Sequence, residues 1–111
     1  MTIDDLIKQQ PLTMISEGDT SREISKVFCC DLLSVAMSKA PADCAWVTVM
    51  GNINTLAVAS LTDAACVVLA EGTVLEDAVI EQAKMQGITV LTTGEPVFDT
   101  ALEIHQKLNA G

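Results

Sequence analysis

Apolar positions in this chain fall into short blocks separated by turn-forming residues. Near the start, Ile3, Leu6 and Ile7 recur at helical spacing behind Thr2, a cap-forming residue, and Pro11 ends the segment. Leu12 to Ile15 reads as a short strand and Glu17 to Ser21 as a turn. Glu23 to Cys30 reads as a strand in which Ile24, Lys26, Phe28 and Cys30 share a face. Asp31 is placed to cap a helix whose stripe is Leu33, Ala36, Met37 and Ala40, and Pro41 stops it.

Beyond Pro41 the alternation is regular. Ala45 to Val49 is a strand, and Gly51-Asn52 turns into a helix reaching about Leu61. Leu56-Ala57-Val58-Ala59 is apolar nearly all round, as in a buried helix. Ala65 to Leu69 is continuously apolar, the pattern of a strand covered on both faces. Leu75 to Gln86 is an amphipathic helix with Leu75, Ala78, Val79 and Ala83 inward, and Gly87 suits its left-handed cap. Strand Ile88 to Leu91 follows, then the turn Thr92-Thr93-Gly94. Pro96 is set at the first position of a last helix, which reaches about Leu108. Strand and helix in alternation predict an α/β fold: one three-layer domain over residues 1–111, with a mostly parallel sheet and helices on both faces. Ligands of such folds bind beyond the carboxyl ends of the strands. Those ends are Met50-Gly51-Asn52, Ala70-Glu71-Gly72 and Thr92 to Glu95.

Composition narrows the function classes. The chain has 111 residues and a formal charge of −9, from 6 Lys and Arg against 15 Asp and Glu. Nucleic acid is therefore not an expected partner, because its binding needs a basic patch to displace counterions. No apolar run is long enough to cross a bilayer, and the first residues lack the pattern of a signal peptide, so a cytoplasmic location is expected. Cys29, Cys30, Cys44 and Cys66 form no C-x-x-C pair, and the single histidine, His105, is distant in sequence. Metal-ligand spacing is absent and four free thiols are expected.

Candidate chemistry is sparse. Neither a dinucleotide-binding glycine motif nor a phosphate loop is present, and a Ser-His-acid triad would have to use His105, which is read as lying at the edge of a packed helix face. No catalytic residue, metal or cofactor is expected. The candidate ligand-binding residues are Gly51, Asn52 and Asn54, with Thr93 and Gly94 on the neighbouring turn, and Arg22, the single arginine. Asn52 or Asn54 could cap the following helix or leave its amides facing an anion. Arg22 could clamp a carboxylate or phosphate, or make one bridge holding its turn to the core. Trp46 belongs in the core or at a dimer interface.

Gly18-Asp19-Thr20-Ser21-Arg22-Glu23-Ile24 and Cys30-Asp31-Leu32-Leu33-Ser34-Val35-Ala36-Met37 together resemble the DRTGG domain family. Ala45 to Val49, Asn54 to Ala59, Ala65 to Leu69, Gly87 to Thr93 and Phe98 to Ala101 continue the resemblance, which spans about residues 18–108. Ser25-Lys26-Val27-Phe28 stands where the family has glycine-rich chain. The resemblance implies a fold like the N-terminal domain of HPr kinase/phosphorylase and a non-catalytic regulatory or protein-interaction module. It also implies a homodimer, a common state in that family. A sensor of a nucleotide or other anion at the strand ends is the alternative. No Lys or Arg lies between Lys39 and Lys84, which disfavours an anion site there and points to a partner protein with a basic face.

Overall fold

The structure, a computed structural model, describes residues 1–110. Helix α1 (Ile3–Gln9) opens with a reciprocal cap. The Asp5 amide donates to Thr2 Oγ1 at 3.1 Å and the Thr2 amide donates to Asp5 Oδ2 at 3.0 Å. The bond from the Thr2 amide, and after it the Thr2 side chain, holds the Asp5 carboxyl below its ordinary pKa. Ile3 and Leu6 are fully buried. Strands β1 (Thr13–Ser16) and β2 (Val27–Cys29) follow, then α2 (Leu33–Lys39), β3 (Ala45–Thr48), α3 (Ile53–Leu61), β4 (Cys66–Leu69), α4 (Asp77–Gln86), β5 (Val90–Thr92) and α5 (Val97–Asn109).

The sheet order is β1-β5-β4-β3-β2, with β1 antiparallel to β5 and every other pair parallel. Because β2 to β5 are added in sequence order, each crossover steps in the same direction and lays its helix on the same face. Thus α2, α3 and α4 cover Trp46, Val67, Leu69 and Val90, while α1 and α5 cover Val47, Cys66, Val68 and Leu91 on the other face. The register explains this division. Trp46 lies opposite Val67, which lies opposite Val90, and Val47, Val68 and Leu91 form the matching row behind. The central strands β3 and β4 are buried at every position.

Several local expectations change. The strand expected from Glu23 to Cys30 shortens to β2, and Ile24 packs with α1 and α5 while Phe28 and Cys30 pack on the opposite face. The Ile24 amide instead donates to the Met1 carbonyl, so this stretch fastens the N-terminus. Asp31 does not cap α2. Leu32 occupies the cap without a side-chain bond, and the Asp31 carboxylate accepts from Thr48 Oγ1 and the Val49 amide. Pro96 is the cap residue of α5, one position before its first. The buried face of α5 is Thr100, Ala101 and Ile104, leaving Phe98 exposed. Ala78 and Ala57 are exposed as well, so α3 is a surface helix whose apolar residues are not all covered.

Candidate functional site

The four loops that leave the parallel strands at their carboxyl ends share one end of the sheet. At the β3–α3 turn, Asn52 caps α3, its Oδ1 accepting from the Asn54 amide at 3.0 Å and the Thr55 amide at 3.1 Å. Thr55 Oγ1 donates to the Met50 carbonyl at 2.7 Å, locking the turn from inside. A Cβ at Gly51 would stand 2.9 Å from Leu75 Cδ2 and 3.1 Å from Thr73 Cγ2, so this position admits only a minimal side chain. Asn54 is exposed.

After β4 the chain goes to α4 on one face, and after β5 it goes to α5 on the other. Such a divergence of neighbouring loops opens a crevice in many α/β folds. Here it is bridged. The Glu71 amide donates to the Glu95 carbonyl at 2.9 Å and the Gly72 amide to the Thr93 carbonyl at 3.0 Å. Glu71 Oε2 accepts from the Val97 amide at 2.9 Å, a carboxylate at the first turn of α5. Glu71 adopts φ 61° to do this, an uncommon conformation for a residue other than glycine. The Thr93 amide donates to the Leu69 carbonyl, and Thr93 Oγ1 accepts from the Glu95 amide. Gly94 has open space around its α-carbon.

Arg22 lies at the other end of the sheet. Its guanidinium donates to Asp43 Oδ1, to the Asp63 carbonyl at 2.9 Å and to the Ala64 carbonyl at 3.2 Å, with Asp63 Oδ1 at 3.3 Å. The Asp43 hydrogen bond is the main cause that raises its pKa above the ordinary value. Asp43 and Asp63 stand before β3 and β4 with φ 63° and 59°, and Gly87 takes the equivalent place before β5 with φ 68°. Arg22 thus ties together two left-handed helix-to-strand turns. A cleft of about 160 Å³ beside it is lined by Asp19, Asp63 and the Gly87 turn. The structure therefore brings Gly51, Asn52, Asn54, Thr93 and Gly94 to one end of the sheet and Arg22 to the opposite end.

The remaining candidates are dispersed. Cys44 and Cys66 are buried, and desolvation pushes their thiols up to about 11 and about 12. Cys29 is exposed, its thiol raised first by partial desolvation and then by Asp31. Trp46 is fully buried and donates from Nε1 to the Cys30 carbonyl at 3.0 Å. His105 is exposed beside Asn109 on α5. Among the described residues no cluster of His, Cys, Asp and Glu is arranged to hold a metal ion, and no helix is long and apolar enough to cross a membrane. The sequence pattern predicts Asp31 as a helix cap and Glu71 only as part of a strand-end turn, and predicts a loop bridge from neither. Their bonds run to Val49 and Val97, 18 and 26 residues away, and leave no local signal.

Neither a family model nor a curated protein matches this chain. Among solved structures, it is similar to the CBS and DRTGG domains of the regulatory region of Clostridium perfringens pyrophosphatase, solved with its activator diadenosine tetraphosphate. The TM-score is 0.76 at 16% identity, over 95% of this chain and 46% of that one. The fold is DRTGG-like. The chain spans about half the length of the regulatory region it matches. At this identity the likeness carries the architecture alone: a five-stranded, mostly parallel sheet between helices on both faces, within the α/β fold expected.

Proposed function

We propose that this DRTGG-like domain is a non-catalytic regulatory module that works through protein contacts. The observation that carries the reading is the state of the carboxyl-end loops. The amides of Asn54, Thr55, Thr93, Glu95 and Val97 already have protein acceptors, so an anion would have to displace existing bonds. The same loops expose large apolar side chains, Ile53, Val74 and Phe98 among them. The solved relative's place in a regulatory region supports the same reading. We extend it to a homodimer, as dimerisation in the resembled family suggests. The open β2–α2 edge is a suitable contact, since β2 has one strand neighbour and Val35 and Met37 are exposed. Free thiols in all four cysteines fit a reducing cytoplasm. Light scattering after size exclusion tests the dimer. A mass near twice the chain's 11.7 kDa is expected, and a monomer at all concentrations would refute it.

One observation favours a second reading, a nucleotide sensor: the relative was solved with diadenosine tetraphosphate. A groove of about 390 Å³ beside Gly51 and Asn52 offers the space. A thermal-shift panel that includes this nucleotide separates the readings. A true ligand at 100 times its Kd adds about 2.7 kcal/mol, whereas a protein-contact module shows no shift.

A further inference from the structure

We infer that the carboxyl end of the sheet is the docking face, and that its occupant is a polypeptide segment presenting a large aliphatic side chain between lysines or arginines. The inference rests on the protein-contact reading above and adds the face and the partner's chemistry. Two independent observations meet at this end. Ile53, 50% exposed, and Val74, 88% exposed, flank the groove of about 390 Å³, whose wall includes Val79. Leu32, 58% exposed, and Phe98, 70% exposed, belong to the loop and first helical turn that leave β2 and β5 at the same end. Leu61 and Met85 are exposed at the opposite end, in the last turns of α3 and α4, but that end also carries Arg22 and Lys84. At the carboxyl end the exposed apolar side chains flank a groove, which marks an interaction surface.

The second observation is charge. The four loops and the helical turns they lead into, residues 31–36, 49–56, 70–80 and 93–100, contain Asp31, Glu71, Glu76, Asp77, Glu95 and Asp99, with no Lys or Arg. The cations sit elsewhere: Lys39, Lys84 and Lys107 are in the last turns of α2, α4 and α5. Helix dipoles account for acids at the first turns and bases at the last. They do not account for unburied Ile53, Val74 and Phe98 between those acids. Exposed apolar side chains and carboxylates on one surface are the ingredients of a protein interface. A second copy docked face to face would set the same carboxylates against each other, and an anionic membrane or nucleic acid would be repelled. A basic, aliphatic peptide segment satisfies both features.

The test titrates the full chain, isotopically labelled for amide NMR, with peptides of equal length. One carries leucine flanked by lysines, one leucine flanked by glutamates, and one serine flanked by lysines. The lysine-flanked leucine peptide is expected to move the Ile53, Val74 and Gly94 amides and to bind about tenfold tighter than either control. Its affinity should fall about fivefold or more between about 50 and about 300 mM salt. Val74→Lys, and separately Ile53→Lys, should weaken it about tenfold with an unchanged Tm. Equal affinity for the glutamate-flanked peptide, no binding, or shifts confined to other surfaces overturns the docking face. Cross-linking in host extract distinguishes that failure from failure of the broader reading. A partner held equally by wild type and Val74→Lys keeps the protein-contact module but removes this face. Shifts at these amides from diadenosine tetraphosphate, with none from any peptide, overturn both.

Discussion

The two ends of the sheet differ in how closely their turns pack and in the charge they carry. At the amino ends of the strands the chain is cross-braced. Arg22 joins the turns before β3 and β4, and Gly18 lies so close to the Gly87 turn that an added Cβ would meet the Gly87 carbonyl oxygen at 2.2 Å. The Gly18 amide also donates to the buried Thr89 hydroxyl at 3.0 Å. At the carboxyl ends Glu71 and Asp31 also bridge neighbouring loops, and Ile53, Val74 and Phe98 face solvent where no Lys or Arg lies. The amino ends expose Leu61 and Met85 but carry Arg22 and Lys84. What separates the ends is steric closeness and charge: backbone meets backbone at Gly18 and Gly87 on one, while the other joins exposed apolar groups to carboxylates without a cation.

Thiol chemistry gives the widest expected separation between the ends. Cys44 and Cys66 belong to the amino side of the sheet, Cys29 and Cys30 to the carboxyl side of β2. A maleimide should label Cys29 and Cys30 in the native protein and reach Cys44 and Cys66 about a thousandfold more slowly, after opening. Equal rates at all four would erase the contrast. The same burial sets an alkaline limit. Both buried thiols hold their protons more tightly folded than unfolded, so their contribution is whole below the ordinary value of 9.0. It is lost as pH rises through about 11 for Cys44 and about 12 for Cys66, and urea midpoints should fall across that window.

Substitutions come next in size. Gly18→Ala drives a methyl into backbone and should destabilise by about 3 kcal/mol in urea titrations. Gly94→Ala, where there is open space, should change stability by less than about 0.5 kcal/mol. A smaller effect at Gly18 than at Gly94 would overturn the assignment of rigidity to the amino end. Arg22→Ala removes a half-exposed clamp on two turns and should cost about 2 kcal/mol, with Arg22→Lys recovering less than half because the fork geometry is lost. Asn52→Ala loses the α3 cap for about 1 kcal/mol, and Asn52→Asp should restore most of it. Val74→Lys should leave thermal stability within about 0.5 kcal/mol, since this side chain is 88% exposed. A large loss there would show that the exposed apolar face supports the fold.

Legibility in sequence followed the range of the forces. The cap at Thr2, the doubly covered run Ala65 to Leu69 and the left-handed Gly87 rest on neighbouring residues, and each is present. Asp31 misled because a carboxylate before an apolar stripe looks like a cap, while here Thr48 and Val49 of the adjoining strand take it instead. On α5 the face that meets the sheet is Thr100, Ala101 and Ile104, and Phe98 stays outside it.

Alternation of apolar blocks with turn residues was enough to determine the α/β class and a mostly parallel sheet, and the continuously apolar run Ala65 to Leu69 pointed to cover on both faces, because those follow from local periodicity. Tertiary structure alone decided that Arg22 lies opposite the Gly51 and Thr93 turns. It also decided that Glu71 closes the gap between diverging loops, and that acids and exposed aliphatics meet at one end. Each of these joins segments tens of residues apart. Their encounter depends on strand order and register, which no local pattern encodes.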